Sequence, residues 1–198
     1  MSMATYLALL LFSFVSSVTP GPNNIMLFTS GVNFGLRRSV PHMLGISIGF
    51  GILLAAVGAG VGVILEQVPQ IYLGLKIVGG AYMLYLAWRI ANSGPPESGR
   101  SAARPMTFWE AVAFQWVNPK AWVMAVVAMA AYTSEGSYAV NVAIIVLTFS
   151  LVNLPTISVW AIFGVAMRRF LSDPTMLRIF NLTMAAALVL SLWPMLKN

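Results

Sequence analysis

Six apolar runs, at about 4–31, 39–65, 71–91, 107–131, 138–167 and 175–196, take up most of this chain. Each is long enough to cross a bilayer as a helix, which needs about 20 residues. Charged residues make up 8% of the sequence and apolar ones 59%, where soluble domains carry about 25% charged residues. A water-soluble domain of this length has too little interior to hide that many apolar side chains. The fold class expected is therefore an all-α membrane protein with six transmembrane helices. The connections are short except at 92–106 (NSGPPESGRSAARPM), where Gly, Pro, Ser and Arg mark an exposed linker. It divides one transmembrane domain, 1–198, into halves of about 1–91 and 107–198. Residues 1–18 are apolar like a signal peptide but have no basic leader. Pro20 and Pro22 lie where a cleavage site would have to be extended. The run is read as the first half of a retained span.

Lys and Arg positions set the orientation. Arg37, Arg38, Arg89, Arg100, Arg104, Arg168, Arg169 and Arg178 fall in or beside the connections after spans 1, 3 and 5; Lys76 and Lys197 are left for the other side, with Glu66 and Glu135 in its loops. The positive-inside rule then makes the arginine-bearing connections cytoplasmic and places both termini on the periplasmic side of a bacterial inner membrane. Three spans per half give the halves opposite starting sides, so any repeat is inverted. Val18-Thr19-Pro20 recurs as Val117-Asn118-Pro119, and transporters commonly combine inverted repeats with broken helices. The net charge of +6 does not indicate nucleic acid, because the basic residues sit at the ends of apolar runs. The absence of cysteine excludes disulfides, thiolate catalysis and cysteine metal sites. No Met or His cluster suggests a metal, and no cofactor is expected.

Helix breaks in hydrocarbon are tolerated only where protein or a wet cavity receives the freed backbone groups. Three candidates lie near span centres: Thr19-Pro20-Gly21-Pro22-Asn23-Asn24 in span 1, Asn118-Pro119-Lys120 in span 4, and Asn153-Leu154-Pro155 in span 5. In the first, two prolines without N–H groups and a glycine make a straight helix unlikely. A helix restarting at Pro22 leaves N–H groups near Asn23 and Asn24 free at its positive end, where a carboxylate would bind. The alternative is a kink that only shapes packing. Lys120 is the only charged residue from Ala111 to Ala131. Burying a cation at mid-depth costs at least about 2.5–3.5 kcal/mol, so water, an anionic solute group, deprotonation or freed helix carbonyls must offset it. No Asp or Glu lies near a span centre, which argues against a sodium cage and against a dicationic solute. Lys120 is the leading candidate for proton coupling: its ammonium would bind a carboxylate and release it on losing the proton. His42, otherwise an interfacial packing residue, and Glu110 are secondary candidates.

Gly45-Ile46-Ser47-Ile48-Gly49 matches the G-x-S-x-G of serine hydrolases, but that motif needs a strand-to-helix turn, and here it lies within an apolar helix. Close helix packing through Gly45 and Gly49, and through Gly58 and Gly62, is the preferred reading. Trp88, Trp109 and Trp193 suit the interfacial belt. Trp116 and Trp122 could line a cavity or pack in the core.

TPGPNN in span 1, GGAYMLYLAWRIA in span 3 and FWEAVAFQWVNPKAW entering span 4 resemble the LysE/RhtB superfamily of bacterial amino-acid exporters over nearly the whole chain. The nearest likeness is its neutral amino-acid branch, which includes cysteine and O-acetylserine exporters. The resemblance implies proton-driven efflux from the cytoplasm. It points to Pro20, Gly21, Pro22, Asn23, Asn24, Asn118, Pro119 and Lys120 as the core site; Thr19, Asn153 and Pro155 join them by position. The expected partners are a small amino acid, protons and the lipid bilayer. Gly and Ala ridges permit a homodimer without requiring one. An exporter or channel for another metabolite, such as a homoserine lactone or a basic amino acid, stays open.

Overall fold

A computed structural model describes residues 1–67, 69–93, 104–133 and 136–193. Most of the 92–106 linker, with Glu97 and Arg100, lies outside the described residues, as do Glu135 and Lys197. The described residues form helices α1 (Met3–Val18), α2 (Pro22–Phe34), α3 (Leu36–Gly58), α4 (Val61–Gln67), α5 (Pro69–Ala91), α6 (Phe108–Gln115), α7 (Pro119–Tyr132), α8 (Tyr138–Arg168) and α9 (Pro174–Leu190). Among them, α3 and α8 are each long and apolar enough to cross a membrane. So is the α1–α2 pair taken as one span, bent by 54° at its break. Large apolar side chains such as Leu11, Leu147, Leu151 and Leu190 are exposed on the outside, a surface suited to lipid.

Two of the three expected breaks are present. Gly21 is the N-cap of α2 and Pro22 its first residue; Asn118 is the N-cap of α7 and Pro119 its first residue. Proline at the first helical position loses nothing, because that N–H has no partner in the helix anyway. The third expectation fails: α8 runs unbroken past Asn153 and Pro155. A lone proline removes one helical bond. The carbonyl that Pro155 leaves without a helical donor is that of Leu151, four residues back; beside it the Thr156 and Ser158 hydroxyls donate to the carbonyls of Val152 and Leu154.

The packing crosses the two interrupted helices. One apolar cluster joins Leu9 of α1 and Ala125 of α7 to Phe50 and Phe149. Another joins Met26 of α2 and Phe114 of α6 to Met83 and Leu188. The first piece of each broken run therefore packs beside the second piece of the other, and the breaks fall together in the middle. Gly45 and Gly49 set the α3–α6 approach: a Cβ on Gly45 would lie 2.4 Å from the Phe108 carbonyl oxygen, and one on Gly49 2.7 Å from Val112 Cα. Gly58 and Gly62 do not make a matching pair. The helix ends at Gly58, the chain turns at Gly60 (φ 99°), and Gly62 has only Val57 nearby. Trp88, Trp109 and Trp193 are exposed.

Candidate functional site

The end of α1 stops in the protein interior and leaves its last carbonyls without helical donors, which must be supplied from elsewhere. The N–H and hydroxyl of Thr19 both donate to the Val15 carbonyl. Asn24 Nδ2 donates to the carbonyls of Ser17 (2.9 Å) and Thr19 (2.8 Å). Trp160 Nε1 donates to the Val18 carbonyl at 3.2 Å. The last donor comes from the other break: Lys120 Nζ donates to the Thr19 carbonyl. A cation at a helix C-terminus also meets the negative end of its dipole.

The start of α2 is supplied differently. Its N-cap is Gly21, whose lack of a side chain leaves α2 without a side-chain cap, and the first helical bond runs from the Ile25 N–H to the Gly21 carbonyl. The N–H groups of Asn23 and Asn24 thus have no acceptor within the helix. At the second break Asn118 caps its own helix, its Oδ1 accepting from the Lys120 N–H at 3.2 Å. The two breaks therefore differ: the start of α7 is capped by a side chain and the start of α2 is not. The uncapped start lies beside the ammonium: a Cβ on Gly21 would be 2.6 Å from Lys120 Cδ and 3.2 Å from Nζ. Gly21 has an extended backbone (φ −171°), so glycine serves here to make room for the lysine and not to reach an unusual conformation.

A cavity of about 30 Å³ lies at this crossing, lined among others by Gly21, Asn23, Asn24, Asn118, Lys120 and Asn153. It has room for about two waters and is too small for an organic solute. Asn23 is held across it by Gln115 in a reciprocal amide pair, Asn23 Nδ2 donating to Gln115 Oε1 (2.9 Å) and Gln115 Nε2 to Asn23 Oδ1 (3.2 Å). Asn153 Nδ2 donates to the Ser17 hydroxyl at 3.1 Å, while its buried Oδ1 has no hydrogen-bond partner.

Of the residues expected from sequence, these six come together. Thr19 takes part through its backbone carbonyl, while Pro20, Pro22, Pro119 and Pro155 shape or flank the helices without lining the cavity. Pro155 is exposed on the outer side of α8. Lys120 does not point at lipid; it is half-buried against the end of α1. Trp116 and Trp122 pack edge to face, and Trp122 Nε1 donates to the Trp116 carbonyl at 2.8 Å. They settle as packing and backbone capping, not as cavity lining. His42 and Glu110 lie away from this cavity. Glu110 closes a capping box with Thr107 and pairs with the Arg104 guanidinium through both oxygens. His42 is buried in α3 with neither ring nitrogen hydrogen-bonded.

Sequence reading missed Gln115, Ser17 and Trp160. Gln115 gives a signal after the fact: it is the one neutral amide between Ala111 and Val117 in an otherwise apolar stretch. A second amide pair was missed in the same way. Asn33 and Asn181, both buried, bond reciprocally between α2 and α9, and Asn181 Nδ2 also donates to the Ser93 carbonyl.

Comparison with known proteins places the sequence among translocators. The chain is 35% identical over 125 residues to a cysteine/O-acetylserine efflux protein of Klebsiella pneumoniae subsp. pneumoniae, 63% of each chain. It is 33% identical over 131 residues to the protein of that name from Escherichia coli strain K12, 66% of each chain. It is 32% identical over 131 residues to that of Salmonella choleraesuis, again 66% of each. The aligned region thus spans somewhat under two thirds of these relatives' length. No solved structure matches the chain. The LysE type translocator family matches residues 14–191, nine tenths of the sequence, and the chain belongs to that family of translocators rather than to any class of enzyme.

Proposed function

We propose that this chain exports small neutral amino acids or their derivatives from the cytoplasm, of the kind its efflux-protein relatives are named for. The observation that carries the reading is the convergence of one ammonium and one uncapped helix start on a shared cavity. A substrate carboxylate placed there would accept from Lys120 Nζ and from the N–H groups of Asn23 and Asn24. To do so it must take the ammonium from the Thr19 carbonyl. The substrate amino group would meet neutral oxygens, such as the unpartnered Oδ1 of Asn153. No carboxylate lines the cavity, which disfavours a substrate with a second positive charge.

The cavity described offers too little space for a substrate, so transport requires the packed pieces to separate. The proposed frame is six spans in two inverted three-helix halves that alternate access around the crossing. The arginine-rich end faces the cytoplasm and both termini the periplasm. Proton antiport restricts the chemistry further. If Lys120 lost its proton as the substrate left, proton and substrate would travel together, which is symport. Antiport therefore needs Lys120 charged through the substrate-carrying step and the exchanged proton on another group. His42, buried in α3, is the candidate.

Efflux from preloaded liposomes tests the reading, using a panel of neutral and basic amino acids with and without a pH gradient. Neutral amino acids should leave faster with the gradient, exchange should stimulate labelled counterflow, and Lys120→Met should abolish both. A Lys120→Met protein that exports at the wild-type rate would overturn the site. Absence of exchange stimulation would indicate a channel.

A further inference from the structure

A second cavity, of about 80 Å³ against 30 Å³ at the crossing and mostly apolar with several polar groups on its wall, lies between α2, α3, α5 and residues 104–106. It sits at the arginine-rich end, where Arg89 Nη2 donates to the Arg104 carbonyl at 2.8 Å. Most polar groups on its wall are already engaged. The Thr29 hydroxyl donates to the Ile25 carbonyl, the Ser30 hydroxyl pairs with that of Ser39, and the Ser93 hydroxyl donates to the Arg89 carbonyl. Three buried nitrogens are not: Arg89 Nη1, and both ring nitrogens of His42, whose side chain is 2% exposed. Arg89 Nη1 approaches Glu110 Oε1 at 3.9 Å without a hydrogen bond. Glu110 is already occupied by Arg104 and Thr107.

Buried polar groups are nearly always partnered, so an unpaired guanidinium N–H and an unpaired imidazole on one cavity wall ask for a shared ligand. A guanidinium selects a carboxylate. A neutral imidazole offers one donor and one acceptor, which suits a molecule that carries both an anion and an ammonium. The two cavities are joined along one helix: Asn23 borders the inner one and Met26 and Ser30 the outer one, at the i, i+3, i+7 spacing of a single face of α2. Met26, a flexible side chain that repacks readily, borders the outer cavity one turn from Asn23.

We propose that this cavity is a second site for a small zwitterionic amino acid, a waiting position on the way to the crossing. Arg89 would hold the carboxylate and His42 contact the amino group. The inference rests on the export reading given above and adds a second bound molecule to it.

His42 is the chain's single histidine, so ¹⁵N-histidine labelling of the full-length protein, with no histidine tag, gives one imidazole signal to follow. The protein in zwitterionic-lipid nanodiscs is titrated with O-acetyl-L-serine, using Lys120→Met to disable the inner site. A saturable shift in wild type and in Lys120→Met is expected, with half-saturation raised about tenfold or more in Arg89→Gln, as loss of a charged hydrogen bond implies. Arg89→Lys, which keeps the charge, should fall between them. A shift lost in Lys120→Met would mean His42 senses only the inner site, and this inference fails while the export reading stands. Equal saturation by acetate would show an anion hole without amino-acid recognition. A shift that follows phosphatidylglycerol content would assign the arginine to a lipid phosphate. Either result overturns the proposal. Absence of efflux by the wild-type protein in liposomes would count against the export reading itself.

Discussion

The ammonium of Lys120 donates to the backbone carbonyl of Thr19, 101 residues earlier in the chain. One bond thus ties the second broken helix to the end of α1. It accounts for a lysine deep in an apolar run without any ligand: the cation is offset by the carbonyls and dipole of an interrupted helix. On the proposed reading it also sets the condition for function, because a substrate carboxylate would have to compete with a carbonyl already in place. An anion is the stronger acceptor for an ammonium, so exchange favours the substrate once the cavity opens.

Gly21→Ala separates positioning of the lysine from stability. The added Cβ would lie 2.6 Å from Lys120 Cδ, and the flexible lysine end can move to relieve the clash. The backbone there is extended and suits alanine as well as glycine. Unfolding stability should fall by no more than about 1 kcal/mol, the low end of the roughly 1–3 kcal/mol of overpacking, because the lysine end yields. Efflux should fall about tenfold or more, as expected if the ammonium loses roughly 1.4 kcal/mol of binding geometry. Wild-type efflux together with wild-type stability would show that the ammonium need not lie over Gly21.

Asn24 should behave in the opposite way, as a stability residue. Its amide nitrogen serves two carbonyls that the break sets free. Asn24→Ala leaves one of them, Ser17, without that donor, at a cost of about 1–3 kcal/mol per unsatisfied buried group. Asn24→Asp should be at least as damaging, because a carboxylate cannot donate to either carbonyl. Thermal unfolding in detergent measures both. An Asn24→Asp protein as stable as wild type would mean the amide does not cap α1.

What the sequence made legible follows from which residues constrain the backbone alone. Pro22 and Pro119 sit at helix starts because the chain offers them nowhere else at that depth, and the breaks were readable for that reason. Pro155 carries the same asparagine-and-proline signal, yet the helix runs through it and forgoes only the one bond that proline cannot donate. The roles of Asn23 and Asn24 were only half readable. Their backbone N–H groups were expected to be free at a helix start, and are, but the side chains have partners that the sequence did not announce: Asn24 donates to the end of α1 and Asn23 is paired with Gln115. Partner choice between neutral amides 92 residues apart depends on how helices cross, and a single sequence does not state that. Gly58 and Gly62 misled because their spacing suits a helix that Gly60 in fact ends.

The Asn23–Gln115 pair is directly measurable. It spans the cavity between α2 and α6 with two reciprocal bonds. A double-mutant cycle with Asn23→Ala and Gln115→Ala should give a coupling energy of about 0.6 kcal/mol, the average for hydrogen bonds between membrane helices, and no more than about 1.7 kcal/mol. If the pair must part for the cavity to open, the double variant should transport no worse than the poorer single one. Zero coupling in the unfolding measurement would show that the bonds are not made in the bilayer.

The closest helix contact lies elsewhere, and it sets which pieces can move. A Cβ on Gly31 of α2 would lie 2.2 Å from the Ala161 carbonyl oxygen of α8, and one on Gly164 of α8 the same distance from the Phe28 carbonyl oxygen of α2. The obstacles are backbone atoms, which cannot rotate aside as a side chain can. Gly31→Ala or Gly164→Ala should therefore cost at least the roughly 1–3 kcal/mol typical of overpacking. Gly74 of α5 has nothing within 4 Å of its would-be Cβ, so Gly74→Ala should be neutral or gain up to about 1 kcal/mol of helix propensity. Thermal unfolding of the three variants in one detergent makes the comparison. If Gly31→Ala and Gly74→Ala unfold together, the close crossing is not present. If they differ as expected, α2 and α8 are locked backbone to backbone, and on the proposed frame the two halves pivot about this crossing rather than part at it.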